Sequence, residues 1–365
     1  MVKSKILISA LLIATVIITL FGAWNFWFYT VEDAYISFRY CDNFINGNGL
    51  VFNQGENVEG YTNFLWQMVI SIPRLVMPFP IAAKIPGVIL LSLLLISMIR
   101  MRLSSLDSGA YGAVSAFLVA ICPGIQMWTV AGLETILFTV CVTSAVLVYH
   151  SQLKRKLPVT GIIFGLATLT RPEGAFFFCL FLLVVFILER GSVKAVTPVV
   201  TGFLVLVIPH AVFRFFYYDA FLPNTFWVKS KRFQGGGYRY FTRYAAMTGF
   251  LMFPVAWAGC LNKNLRRVLL PNLIMATGYL AYVYYIGGDW MPYGRFLIPV
   301  IPIVSWTAAV HVFHEKRRLR KHILVILLCM SAIISLVSAR YDLLRFRPTN
   351  YMNVLTWELT HFRQW

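Results

Sequence analysis

Residues 1–35 read MVKSKILISALLIATVIITLFGAWNFWFYTVEDAY, and this stretch decides the fold. A basic head, Met1 to Lys5, precedes an apolar run that continues to about Phe28 and closes on Trp24, Phe26, Trp27 and Phe28. A signal peptide has a shorter apolar core and small residues at its cleavage site. This run is long enough to cross about 30 Å of hydrocarbon and ends in the aromatic residues favoured at a membrane surface. It reads as an uncleaved first span, and the adjacent acids Glu32 and Asp33 stand just beyond its end.

The rest of the chain is of the same kind. Of its 365 residues 59% are hydrophobic and only 13% charged, about half the roughly 25% of a soluble domain. With a mean hydropathy of +0.72, this excludes disorder, collagen and most water-soluble globular classes. The net charge of +18, from 32 Lys and Arg against 14 Asp and Glu, would suit nucleic acid. The bases, however, sit in clusters between apolar runs, which is positive-inside sorting, and no nucleic-acid partner is expected. Six scattered cysteines show neither a disulfide framework nor zinc-ligand spacing.

Apolar runs lie near 62–82, 83–101, 109–127, 132–149, 158–170, 174–188, 195–216, 241–260, 267–287, 296–313 and 322–339. Basic clusters at Arg100/Arg102, 154–156, Arg190/Lys194, Lys263/Arg266/Arg267 and 316–321 all reach the cytoplasm only if 62–82 does not cross. Pro73, Arg74, Pro78 and Pro80 suit that segment to the outer interface. The expectation is an all-α polytopic membrane protein with about eleven spans, N-terminus inside and C-terminus outside. A catalytic domain would cover 1–340, with a long first extracytoplasmic loop at 29–82 holding interfacial helices, and 341–365 would form a short outer tail. Residues 158–170 supply roughly 20 Å of helix against about 30 Å of hydrocarbon. Arg171 and Glu173 are therefore expected in a protein-lined recess.

The unusual residues fall on the outer connectors. Residues 29–61 hold five acids (Glu32, Asp33, Asp42, Glu56, Glu59) against one base, Arg39. A carboxylate there can take a proton from a sugar hydroxyl or help hold a divalent cation; a solvated loop cleared of bases by sorting is the plainer explanation. Residues 46–66 are rich in Gly and Asn, as turns require, with Glu59 and Asn63 as weaker candidates and Tyr61 and Trp66 as interface anchors or sugar-stacking rings. The 219–243 connector is basic against the sorting rule, which points to an anionic partner held by Lys229 beside Asn224, or to lipid head groups. Arg171 with Glu173, and Asp289 with Arg295, are either functional or structural ion pairs.

In this order the motifs Glu-Asp-Ala-Tyr-Ile-Ser-Phe-Arg-Tyr (32–40), Val-Glu-Gly-Tyr-Thr-Asn-Phe-Leu-Trp (58–66), Gly-Leu-Glu-Thr (132–135), Arg-Pro-Glu-Gly (171–174), Pro-Asn-Thr-Phe (223–226) and Gly-Gly-Asp-Trp-Met-Pro (287–292) resemble bacterial GT-C glycosyltransferases. The likeness is greatest to the mycobacterial terminal arabinofuranosyltransferase group. It implies a bacterial inner-membrane enzyme that moves a sugar, arabinofuranose or another pentose, from a polyprenyl-phosphate carrier to an extracytoplasmic glycan, lipid or protein. It also implies an acidic pair after the first span, filled here by Glu32-Asp33 where the group usually has Asp-Asp. That group carries a sizeable outer C-terminal domain, whereas this sequence ends shortly after its last apolar run. On this reading Glu32 is the base, and Asp33 its partner or the ligand of a divalent cation (Mg, Mn or Ca), the two roles being exchangeable. Lys229 and Arg171 face the phosphate. Glu134, Glu173, Asn224 and Asp289 hold sugar hydroxyls, and Trp290 or Tyr61 stacks beneath the ring. Arg39, Glu59, Asn63 and Arg295 complete the candidate site. A lipid-linked-sugar transporter or flippase and a non-catalytic assembly subunit are the competing classes.

Overall fold

The computed structural model describes residues 2–101, 103, 110–221, 223–224 and 236–345, and every regular element among them is helical. Among the described residues six helical stretches are long and apolar enough to cross a membrane: Ile8–Asn25, Ile81–Arg100, Val193–Tyr218, Lys263–Ile286, Pro292–His314 and Arg318–Ser338. They lie in α1 (Val2–Asn25), α4 (Ile81–Arg100), α10 (Val193–Tyr218), α13 (Lys263–Ile286), the 3-10 segment Pro292–Val300 with α14 (Ile301–His314), and α15 (Arg318–Arg345). The pair α5 (Ala110–Ala120) and α6 (Pro123–Val130) makes a seventh if its 68° bend falls within one span. Shorter apolar helices are α7 (Thr135–His150), α8 (Lys156–Thr170), α9 (Glu173–Leu188) and the Met252–Leu261 stretch that contains α12 (Met252–Ala258).

The apolar runs read from the sequence are largely helical, but 62–82 is helical only over Phe64–Arg74 and the start of α4, 109–127 bends between α5 and α6, and 241–260 departs further. The run 241–260 is broken: α11 (Gly237–Tyr244) ends first, and Gly249, at φ +70°, turns the chain before α12 begins. In the first loop lie α2 (Ala34–Ile45) and α3 (Phe64–Arg74). The 11 residues of α3 give about 16 Å of helix, half the hydrocarbon thickness.

Burial sorts the bundle. The Pro292–His314 window is 89% buried, whereas those of α1 and α10 are 17% buried. α14 is therefore the central post, packed on α5, α12 and α13, and α1 and α10 present Ile13, Val16, Ile17, Leu20, Val205 and Ile208 outward. Between helices in lipid the hydrophobic effect adds little, and close backbone approach through small residues is what binds them. The α8–α10 crossing shows this: a Cβ on Gly161 would lie 2.0 Å from the Val199 carbonyl oxygen, and one on Gly202 would lie 2.1 Å from that of Pro158. Buried hydroxyls turn back on their own helices, as Thr129, Thr139, Ser305 and Thr307 do to the carbonyls four residues earlier, which satisfies them without a partner from another helix.

Candidate active site

Three connectors, α6–α7, α8–α9 and α13–α14, and the first loop meet at one end of the bundle, and hydrogen bonds fix how. The Val31 amide donates to the Ala131 carbonyl (3.0 Å) and the Trp66 indole to the Gly132 carbonyl (3.1 Å). The Trp128 indole donates to the Pro292 carbonyl (3.2 Å). These bonds place the loop after α1, the start of α3, the α6–α7 connector and the α13–α14 connector side by side.

Arg171, at the C-terminus of α8, is the keystone. Its Nη1 donates to Glu134 Oε1 at 2.6 Å, and its Nη2 and Nε donate to the two Glu173 oxygens at 2.9 and 3.3 Å. Two of its five N–H groups remain for another partner. The guanidinium also lies over the Phe296 ring, 5.0 Å from the centroid. Glu134 Oε2 accepts from the Asn63 amide (3.0 Å), which also donates to Ser37 (3.1 Å), while the Asn63 oxygen accepts from Gln67 (3.2 Å). Burial alone would push the Glu134 carboxyl up, but Arg171, Arg295 and the Asn63 amide outweigh it and hold Glu134 below the usual carboxylate range.

Arg295 pairs with Asp289 at 2.8 Å and lies over the Trp128 ring at 5.7 Å. Burial keeps the Asp289 carboxyl above its ordinary value in spite of Arg295 and Arg171. Asp289 Oδ1 is buried and accepts no directed hydrogen bond. The carboxylate is met by Arg295 and, less directly, by the nearby Tyr240 hydroxyl.

The acidic pair sits at the edge of this cluster. Glu32 is exposed and Asp33 half-buried. The flanking residues Val31 and Ala34 pack on Ala131 and Gly132, where a Cβ added to Gly132 would lie 3.1 Å from that of Ala34. Asp33 precedes Ser37 by four residues at the start of α2, so the two share a helix face, and Ser37 bonds Asn63. Among the described residues no three His, Cys, Asp or Glu side chains gather as a cation cage. A divalent cation at Asp33 would need ligands from substrate or water.

The other expected residues separate. Glu59 belongs to a neighbouring cluster: its buried carboxylate accepts from Arg214 Nη2 at 3.0 Å, with Nε at 2.8 Å from the other oxygen, and its carbonyl accepts from the Asn224 amide (3.2 Å). Arg39 is exposed and donates to the Phe52 carbonyl (3.2 Å), away from the buried charges. Trp290 is 71% exposed. Tyr61 and Trp66 are buried; the Tyr61 hydroxyl bonds that of Tyr218 (2.9 Å) and the Trp66 indole is committed to Gly132, so neither presents a ring to an entering sugar. Lys229 lies outside the described residues, as do Lys231, Arg232 and most of the 341–365 tail.

Three residues the motifs did not flag do structural work here. Arg214 balances Glu59, and Gln67 orients Asn63. Lys84, 2% exposed on α4, donates to the Trp27 and Tyr29 carbonyls at 2.5 and 2.6 Å and so fixes the chain's path just before Glu32. Both Lys84 and Arg214 were visible as lone ionisable residues in apolar runs, the signal that marks a paired or functional group.

No family model matches the chain. A terminal beta-(1->2)-arabinofuranosyltransferase of Mycobacterium tuberculosis is 27% identical over 241 residues, which are 60% of this chain and 38% of that protein. The crystal structure of ArnT from Cupriavidus metallidurans bound to undecaprenyl phosphate superposes with a TM-score of 0.63 at 15% identity, covering 86% of this chain and 62% of that one. The apo form gives 0.64 at 14% identity, covering 89% and 62%. The chain therefore spans less than two thirds of the length of each of these relatives. Its fold is the all-α fold of the ArnT structures.

Proposed function

We propose that this multi-pass membrane protein transfers a sugar from a polyprenyl-phosphate carrier to an acceptor on the extracytoplasmic side. The observation that carries the reading is the convergence of Glu134, Arg171, Glu173, Asp289 and Arg295 in one buried cluster beside the more open Glu32-Asp33 pair. Such a layout gives a solvent-side base next to a pre-oriented polar wall, which is what group transfer to a hydroxyl requires. The ArnT structure holding undecaprenyl phosphate supports a lipid-phosphate donor, and the mycobacterial relative's name supports arabinofuranose as the sugar.

In this mechanism Glu32, the exposed acid, takes the proton of the acceptor hydroxyl. The freed oxygen attacks the anomeric carbon, and the bond from that carbon to the phosphate oxygen breaks. The leaving polyprenyl phosphate keeps the bonding electrons, its charge held by Lys229 and the two remaining N–H groups of Arg171. Asp33, on the Ser37 side of α2, positions Glu32 or holds a cation. Asp289 accepts from a sugar hydroxyl, with Glu134 and Glu173 around it, Asn224 on the neighbouring Glu59 side and the exposed Trp290 ring at the mouth. A transporter reading places ionisable groups at mid-membrane in repeated halves; here the charged cluster sits on connectors at one end.

The test is a donor panel. Purified, lipid-reconstituted protein is incubated with polyprenyl-phosphate pentoses and hexoses and with nucleotide sugars, and products are read by mass spectrometry and NMR. Consumption of a polyprenyl-phosphate pentose with release of polyprenyl phosphate is expected. Turnover of nucleotide sugars alone, or of none of the panel, refutes the reading.

A further inference from the structure

A cleft lies away from this cluster. It has a volume of about 490 Å³ and is lined by Leu188, Glu189, Arg190, Lys263, Arg266, Arg267 and Leu270. It opens where α9 ends and α13 begins, and the 16 residues of α9 set it about 24 Å from Glu173 at the other end of that helix. α13 runs the opposite way, from Lys263 at the cleft toward Gly287 and Asp289 in the cluster.

Its charge does not balance. Arg267 pairs with Glu189 at 2.9 Å, the only acid in the lining. Arg190, Lys263 and Arg266 remain without a carboxylate among the described residues, and Arg266 donates only to the Cys260 carbonyl (3.0 Å). Arg190 adds a second observation. It adopts the left-handed conformation at φ +54° directly before Gly191 at φ +79°, a placement that costs a non-glycine residue about 1 kcal/mol or more. This conformation closes the C-terminus of α9, where the Gly191 amide donates to the Phe186 carbonyl at 2.8 Å, and so fixes where Arg190 stands at the cleft. Beside the cations the cleft has an apolar edge, Leu188 and Leu270, and the α9 surface leading from it is exposed and apolar at Leu183 and Ile187.

Cations in a recess that opens onto an apolar helix flank match an anion carried on a hydrocarbon chain. We propose that this cleft binds the phosphodiester of an acidic glycerophospholipid, in the leaflet opposite the acid-rich end, with an acyl chain along Leu183 and Ile187. The proposal is independent of the transferase reading.

The test uses the full chain in detergent, titrated with dioleoyl phosphatidylglycerol or dioleoyl phosphatidylcholine and read by native mass spectrometry. Three proteins are compared: wild type, Arg190→Ala/Lys263→Ala/Arg266→Ala, and a charge-matched control, Lys316→Ala/Arg317→Ala/Arg318→Ala, altered in the exposed connector before α15. Each cation near a lipid phosphate contributes about 1 kcal/mol, so wild type and control should retain the first phosphatidylglycerol at least about 10-fold more tightly than phosphatidylcholine, and the cleft variant within about twofold. The single variant Arg190→Gly, which relieves the backbone, should raise the melting temperature while weakening phosphatidylglycerol binding. Equal loss in the control, unchanged preference in the cleft variant, unchanged binding in Arg190→Gly, or complete displacement of the lipid by millimolar inorganic phosphate would each overturn the proposal, the last by showing a free-anion site.

Discussion

Replacing Arg171 with Gln removes the guanidinium that bonds both Glu134 and Glu173 and leaves two buried carboxylates with Arg295 as the nearby cation. Breaking a buried ion pair from one side typically costs about 3–5 kcal/mol, because the remaining charge stays desolvated. Part of that is recovered by protonation: two neighbouring buried carboxylates do not both stay ionised, and each pKa unit corresponds to about 1.4 kcal/mol. The Glu134 carboxyl is held below its ordinary value in the native protein, so its contribution is present above the unfolded pKa and is lost as pH falls through the folded one. The cost of Arg171→Gln should thus be largest near neutral pH and shrink on acidification. Glu134→Gln should cost less, since Arg171 keeps Glu173. In the double variant a single carboxylate is left unpaired, so the two changes should couple by about 1–3 kcal/mol. Intrinsic tryptophan fluorescence during heating in detergent measures all four proteins. Additive effects, within about 0.5 kcal/mol, would refute the direct Arg171–Glu134 contact and the keystone role built on it.

The second buried pair gives a different pattern: Arg214→Leu alone should destabilise by about 3 kcal/mol, whereas Glu59→Leu/Arg214→Leu should be close to neutral, as read by thermal unfolding. For Asp289, burial raises the carboxyl's pKa, so wild type itself loses this charge at a higher pH than an ordinary aspartate would. The transfer rate of Asp289→Asn should be depressed at pH 7, and its ratio to wild type should rise toward one on acidification; a constant ratio would count against an ionised Asp289 at the site. Lys84→Met should leave membrane insertion intact but lower kcat more than it changes KM for the donor, because its bonds to Trp27 and Tyr29 set the path into Glu32. A KM effect alone would show that Lys84 acts elsewhere.

Much of this was legible beforehand because bilayers constrain sequence so tightly. Long apolar runs had to be helices, and the short run 158–170 placed Arg171 and Glu173 in a recess, where Arg171 is now 9% exposed. The motifs named Asn63, Glu134, Arg171 and Glu173 separately; their mutual bonding depends on three connectors distant in sequence, which no local pattern encodes. Glu59 looked equivalent to Asn63, four residues away, yet the two meet different partners, Arg214 and Glu134, with the chain between them held where the Tyr40 hydroxyl accepts the Gly60 amide at 2.8 Å. Tyr61 and Trp66 read as interface aromatics, since an amphipathic ring at a membrane boundary and a buried ring with one satisfied polar atom have the same sequence signature. The break at 245–251 was hidden because the residues around Gly249 are as apolar as a helix.

The central claim is that Glu32 and Asp33 carry proton transfer at the mouth of the buried charge cluster. The direct measurement is sugar transfer from a polyprenyl-phosphate pentose by Glu32→Gln and Asp33→Asn, with donor binding and membrane insertion measured in parallel. Removing a general base lowers rates by about 10²–10⁴, so transfer should fall below about 1% of wild type in both variants while donor binding persists. Near-normal transfer in both would contradict the account.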